Sequence, residues 1–328
     1  MPSSRCFANT SIVAVLILGF AGVATAQMPS LGYSRPQGAS TNTQHFTPQS
    51  PDIQAMPLDI SALKKRAEKG DAKAELILGE SYYVGANGLP QDDTQAAAFF
   101  RKAADQGDAE AQFDLGIMYV NGQGVPRDNA QGAAWYRKAA VQGQVQAQYT
   151  LGSMYAQGRD VPQDDTQAAA WYRKAAEQGL AYAQYNLGLF YDVGRGVPQD
   201  SAQAAAWYRK AAAQGLPSAQ YNLGLLYTHG NGVPQDSAQA AAWYRKAAVQ
   251  GNPDAQYNLG VAYSRGAGVP QDDTQAYYWI YLASQGKLEG TEQVAIDKAR
   301  EVAASYLTAA EISQVQGRAQ KWLAAHPE

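Results

Sequence analysis

The chain has 328 residues, 46% of them apolar and 17% charged, a globular composition that excludes wholesale disorder. Its 26 basic and 29 acidic side chains leave a formal charge of −3, which excludes a nucleic-acid binder working through excess Lys and Arg. One cysteine (Cys6) and three histidines (His45, His229, His326) are too few for a disulfide framework or a Cys/His zinc site, so neither a metal nor another cofactor is expected.

Residues 1–26 read as an export signal. Arg5 supplies a positive n-region, Ile12 to Phe20 is an apolar stretch, and Ala24-Thr25-Ala26 has the small-residue form that precedes a cut, here between Ala26 and Gln27. The apolar run falls short of the ~20 residues a membrane span needs, so no stable membrane insertion is expected after cleavage. Cys6 lies ahead of that run, away from the place of a lipoprotein acceptor, and is lost with the signal. A cysteine-free mature chain suits an oxidising compartment, and the expected location is the periplasm or outside the cell. Residues 27–57 carry Pro29, Pro36, Pro48, Pro51 and Pro57 among Gln, Ser and Thr, with no apolar period. Such a stretch buries too little surface to offset its ordering entropy and reads as a flexible tether, with His45 inside it.

Residues 58–288 are expected to form a short opening helix, capped by Ser61, followed by six repeats. Pro90, Pro126, Pro162, Pro198, Pro234 and Pro270 stand 36 residues apart, and Phe99, Trp135, Trp171, Trp207, Trp243 and Trp279 keep the same interval. One unit, Gly107 to Gln142, reads GDAEAQFDLGIMYVNGQGVPRDNAQGAAWYRKAAVQ. Ala111, Leu115 and Tyr119 recur on one face of a first helix, which ends at the Gly122–Gly124 loop. Asp128 with Gln131 three residues on has the form of a capping box and opens a second helix, and the pattern recurs at Asp92, Asp164, Asp200, Asp236 and Asp272. Gly143 stands where a left-handed residue closes that helix. A glycine inside the first helix costs about 1 kcal/mol relative to alanine. Its recurrence at Gly116, Gly152, Gly188, Gly224 and Gly260 therefore predicts close helix approach, with the Trp135-type aromatics facing small alanines. One hairpin cannot cover its own apolar face, but a stack can. After Gly286 the pattern decays, and residues 289–328 read as a helical C-terminal cap whose last helix opens at the capping box Thr308-Ala-Ala-Glu311.

The phrase AQYNLGLLYTHGNGVPQDSAQAAAWYRKAAVQG, Ala219 to Gly251, resembles the Sel1-like repeat, a relative of the tetratricopeptide repeat. The resemblance implies an all-α, right-handed α/α superhelical solenoid and a role as an adaptor or regulator in protein complexes. It also suggests an exported bacterial type, engaged in envelope or host-contact functions. A cysteine-rich, penicillin-binding subset of the family is not matched, because the cysteines of each repeat are missing.

Catalytic chemistry finds little footing. Ser61-Ala-Leu-Lys64 matches S-x-x-K, but S-D-N and K-T-G are absent. No triad, paired-carboxylate site or phosphate loop is recognisable, so no catalytic residue is assigned. The pairs Arg101/Lys102, Arg137/Lys138, Arg173/Lys174, Arg209/Lys210 and Arg245/Lys246 read as a solvated face; their replacement by Tyr281/Leu282 predicts burial beneath the cap.

A second stripe on the first helix lies roughly 150° from the core stripe when residues advance by about 100° each. In the second unit it holds Glu110, Asp114, Ile117 and Asn121, and in the fourth Tyr182, Asn186, Leu189 and Val193. The fifth has Ser218, Asn222, Leu225 and His229; the sixth has Asp254, Asn258, Val261 and Arg265. In tetratricopeptide-like superhelices the first helix lines the concave groove, so this stripe is the expected partner-binding surface. Asn186, Asn222 and Asn258 are either a ladder for an extended peptide backbone, since an amide both donates and accepts, or braces between hairpins. The resulting reading is an exported, non-enzymatic scaffold that binds a protein or extended peptide. The alternatives are a cell-envelope hydrolase of peptidoglycan or β-lactam-related chemistry and a spacer without a specific ligand.

Overall fold

A computed structural model describes residues 59–286 and 291–326; the expected export signal (1–26) and tether (27–57) lie outside the described residues. The described residues form fifteen helices and no strand. An opening helix α1 (Ile60–Glu68) precedes six hairpins: α2 (Ala72–Val84) with α3 (Asp93–Asp105), α4 (Ala109–Asn121) with α5 (Asn129–Val141), and α6 (Val145–Gln157) with α7 (Asp165–Glu177). Then come α8 (Ala181–Val193) with α9 (Ser201–Ala213), α10 (Pro217–His229) with α11 (Ser237–Ala248), and α12 (Pro253–Arg265) with α13 (Asp273–Ser284). Two further helices, α14 (Thr291–Ala304) and α15 (Ala309–Ala325), pack on α13. From α1 to α14 each helix packs on its sequence neighbours, which makes the chain an all-α solenoid of helical hairpins.

The aspartates cap as their spacing predicts, but only half of each box forms. The Gln131 backbone N–H donates to Asp128 Oδ1 at 2.9 Å. The Asp128 N–H donates instead to the Tyr119 carbonyl at 2.9 Å, closing the loop within the hairpin. Tyr82, Tyr155, Tyr191, Tyr227 and Tyr263 accept the corresponding bonds in the other five units. With that donor used, the Gln131 side chain turns to Asp128 Oδ2 at 3.0 Å. Both halves of a box are present at Thr308 and Glu311. At α1 the cap is Asp59, which accepts from the Ala62 N–H at 3.0 Å, and Ser61 is an exposed residue of the helix rather than its cap.

The helix glycines do mark close approach, though the ring pressed on them is not the tryptophan. A Cβ on Gly116 or Gly188 would stand 2.7 Å from a ring carbon of Tyr136 or Tyr208, the residue after each Trp. Phe100, Tyr172 and Tyr244 press on Gly79, Gly152 and Gly224 in the same way. Trp171, Trp207 and Trp243 are only half-buried. Each lies over a joint: Trp207 packs on the cluster of Tyr172, Ala175, Leu187 and Phe190, which joins α7 to α8. In the last hairpin Leu282 is buried and Tyr281 packs on the same cluster, with Ile296, Val315 and Ala319 of the final two helices.

A row of buried glutamines also runs along the stack. Gln184 Nε2 donates to the Ala176 carbonyl at 3.0 Å while its Oε1 accepts from Gln214 at 2.8 Å. Gln112, Gln148 and Gln220 do the same with Gln142, Gln178 and Gln250. These bonds give a second donor to carbonyls at the second-helix C-termini, each of which also accepts from the backbone N–H three residues on. In the first hairpin Glu75 takes the place and accepts from Gln106 at 2.6 Å; burial nonetheless pushes its pKa up.

Candidate functional site: the second stripe of the first helices

The repeat places the stripe by its fixed phase to the core residues Ala111, Leu115 and Tyr119, all of which are buried. Tyr182, His229 and Arg265 are exposed, as is Val193. Ile117, Leu189, Leu225, Asn222 and Asn258 are half-buried. Asp114 and Asn186, expected to face a partner, are buried to 7% and 5% exposure. The physical reason is that neighbouring first helices meet across this azimuth: the Tyr149 ring of α6 lies 6.4 Å from that of Tyr182 on α8. Leu189, Ile117 and Leu225 accordingly pack against the core clusters of the adjoining joints.

Asn186 and Asn222 serve that joint. Asn186 Nδ2 donates to the Tyr149 hydroxyl at 3.4 Å and its side chain also bonds Tyr172. Asn222 bonds both Tyr185 and Tyr208. Tyr208 further donates to Asp192 Oδ2 at 3.3 Å. Burial raises the pKa of Tyr185 to about 12 against the lowering pull of its Asn222 bond; burial and then the charge of Asp192 hold Tyr208 well above the ordinary phenol value. These phenols stay protonated and can donate at any physiological pH.

Asp114 stands at the register of Asn186, where the two tyrosine positions of the preceding hairpin hold Leu76 and Phe100. Neither carries a hydroxyl, and Asp114 Oδ2 is buried with no hydrogen-bond partner. Burial, then the charges of Glu110, Glu80 and Asp108, push the Asp114 pKa well up. Burial and the charges of Glu110 and Asp108 likewise raise Glu80 to about 7, and burial and Asp108 raise Glu110. Glu80 escaped the sequence reading because the first unit carries one extra loop residue. Aligning Gly79 with Gly116 on their shared ring contact puts Glu80 at the Ile117 position.

The basic pairs are exposed, apart from half-buried Arg101, and turned onto rings of their own chain. Lys138 Nζ sits 3.7 Å from the Trp135 ring centre, and Arg137 donates to the Tyr155 hydroxyl at 2.9 Å. Lys174, Lys210 and Lys246 repeat the first contact on Trp171, Trp207 and Trp243. Ser61 and Lys64 are both exposed on α1, without the shielding that a nucleophile and its base require. Among the described residues no helix is long and apolar enough to cross a membrane, and no three His, Cys, Asp or Glu side chains are grouped to hold a metal ion.

The Sel1 repeat family model matches six consecutive segments, residues 72–108, 109–144, 145–180, 181–216, 217–252 and 253–287. Among solved structures, the chain is similar to a protective antigen of uropathogenic Escherichia coli strains displaying an SLR fold. That match has 34% identity and a TM-score of 0.66, covering 80% of this chain and 64% of the antigen. A Sel1 repeat protein from Oxalobacter formigenes is 31% identical with a TM-score of 0.61, over 73% of this chain and 95% of that one. The ERAD-associated E3 ubiquitin-protein ligase component HRD3A of Arabidopsis thaliana is 39% identical over 61 residues. This stretch is 19% of the chain and only 9% of the ligase component's length.

Proposed function

The chain belongs to the Sel1 repeat family, whose members are generally non-catalytic protein-interaction scaffolds, and on that premise we propose that it is an exported scaffold for an extended protein segment. The segment lies across the second stripe of the first helices, with Tyr182, Leu189, Leu225, His229 and Arg265 as contacts. The observation that carries this reading is α8, which exposes 55% of Tyr182 and 52% of Val193 at opposite ends of one stripe. Nothing in the stacking of hairpins needs apolar side chains there, since the same positions hold Glu110 and Asn121 in α4 and Asp254 and Arg265 in α12. Asn186 and Asn222 enter as braces that hold neighbouring first helices in register, and the contact residues stand beside them.

The test is site-specific photocrosslinking in the exporting bacterium. A photoreactive side chain at Tyr182 should capture a discrete protein adduct, whereas one at Ala206 on the second helix of the same hairpin should not. A spacer without a ligand would give no adduct above background at either position. Equal capture at both would place the partner elsewhere and refute the assignment to the first-helix face.

A further inference from the structure

We propose that Asp114, with Glu110 and Glu80, forms a receptor for a cationic side chain, the ammonium or guanidinium of a Lys or Arg on the partner. The bound segment's identity rests on the scaffold reading above; the cation site itself does not. Asp114 is 7% exposed and its Oδ2 has no hydrogen-bond partner. A buried carboxylate left without a partner is costly, and repeat proteins have a ready remedy in the sister residue. Asn186, Asn222 and Asn258 stand at the same register, where a neutral amide carries no charge to bury.

The surroundings add charge of the same sign. Glu110 stands one turn before Asp114 on α4, Glu80 on α2 is near enough for its charge to act on Asp114, and Asp108 lies at the α4 N-terminus. Among the described groups that act on these three acids, the one cation is Lys73, and it acts on Glu110. The raised pKa values follow from this arrangement and mean that an arriving cation would displace protons from the cluster. No three of these groups are drawn together as metal ligands. The fork of a guanidinium, or the three donors of an ammonium, suits acids that are spaced rather than converged, and such charge-assisted bonds are the strong ones. Exposed Glu110 and half-buried Glu80 would meet the cation first, and Asp114 would take its inner donor.

The test uses the full mature chain and small probes, with amide chemical shifts as the readout at pH 8. Butylammonium and butylguanidinium should give saturable shifts confined to α2 and α4, and butanol should give none. Asp114→Asn installs the residue of the sister repeats and should weaken cation binding by about tenfold or more while raising the melting temperature. Those opposite signs are what a merely structural aspartate would not produce. Should Asp114→Asn fail to fold, Glu110→Gln on the exposed rim serves in its place, with an expected loss of several-fold. Absent saturable shifts, equal shifts with butanol, or undiminished binding in the folded variants would each overturn the inference. A second pair of probes, Ac-Gly-Ser-Lys-Ser-Gly-amide and its norleucine counterpart, separates the two readings. Equal binding of both peptides along the stripe would retain the scaffold and remove the cation receptor; small-cation binding without either peptide would do the reverse.

Discussion

Replacing Tyr208 should cost the solenoid more than replacing its neighbour Trp207, although the tryptophan is the larger and more regular signal. Tyr208 is 0% exposed, with its ring on Gly188 and 5.8 Å from the Tyr185 ring centre. Its hydroxyl is tied to Asp192 and Asn222. Removing a buried aromatic side chain costs about 3–5 kcal/mol. Leaving Asn222 without one of its partners adds about 1 kcal/mol, which sets Tyr208→Ala at roughly 4–6 kcal/mol. Trp207 is half-buried, with Lys210 Nζ 3.9 Å from its ring centre. It therefore forfeits part of a transfer energy and a weak cation–π contact, about 2–3 kcal/mol together. Urea denaturation followed by circular dichroism measures both. Because a solenoid passes a loss to its nearest neighbours, hydrogen exchange over α8 to α10 should show the damage concentrated there. Tyr208→Phe keeps the packing and should cost only about 1 kcal/mol. A Trp207→Ala loss equal to or above that of Tyr208→Ala would refute the assignment of the core ladder to the tyrosines.

Gly196 has φ +65° and a Cβ there would stand 2.1 Å from the Asp165 carbonyl oxygen, so Gly196→Ala should destabilise by about 2–3 kcal/mol or more. Gly143→Ala meets open space at φ +97° and should cost only about 1 kcal/mol; equal losses in chemical denaturation would contradict this geometry. Gln184→Leu removes one bond to Ala176 and one from Gln214 and should lower stability by about 1–3 kcal/mol, checked by thermal melting. Glu80 binds its proton more tightly folded, up to about 7, than unfolded, near ~4.3, so its contribution to stability falls as pH rises through that window. Glu80→Gln should flatten the slope, gaining up to roughly 3 kcal/mol over the parent at pH 8 and little at pH 4; parallel pH profiles would contradict it. The exported chain should begin at Gln27, and mass spectrometry finding Met1 retained would contradict the signal.

The period of the hairpins, the aspartate caps and the left-handed glycines were all legible in the sequence, because each depends on residues within a turn or two of one another. Gly116 and its sisters even announced a close contact. What no helical wheel contained was the identity of the neighbour on the helix packed against it. That neighbour stands 9 to 38 residues away, and it decided four things. Tyrosine rather than tryptophan presses on the glycines. The capping aspartate spends its N–H on the preceding tyrosine's carbonyl rather than on glutamine. Asn186 braces two tyrosines instead of facing a partner. Asp114, at the same register, lost its bonding partners because Leu76 and Phe100 stand where tyrosines would. A repeat's sequence determines its own hairpin through local hydrogen bonds and apolar phase. Which polar atoms end up satisfied, and which are left waiting, is determined only when the adjacent hairpin is stacked against it, because burial and pairing are properties of the joint.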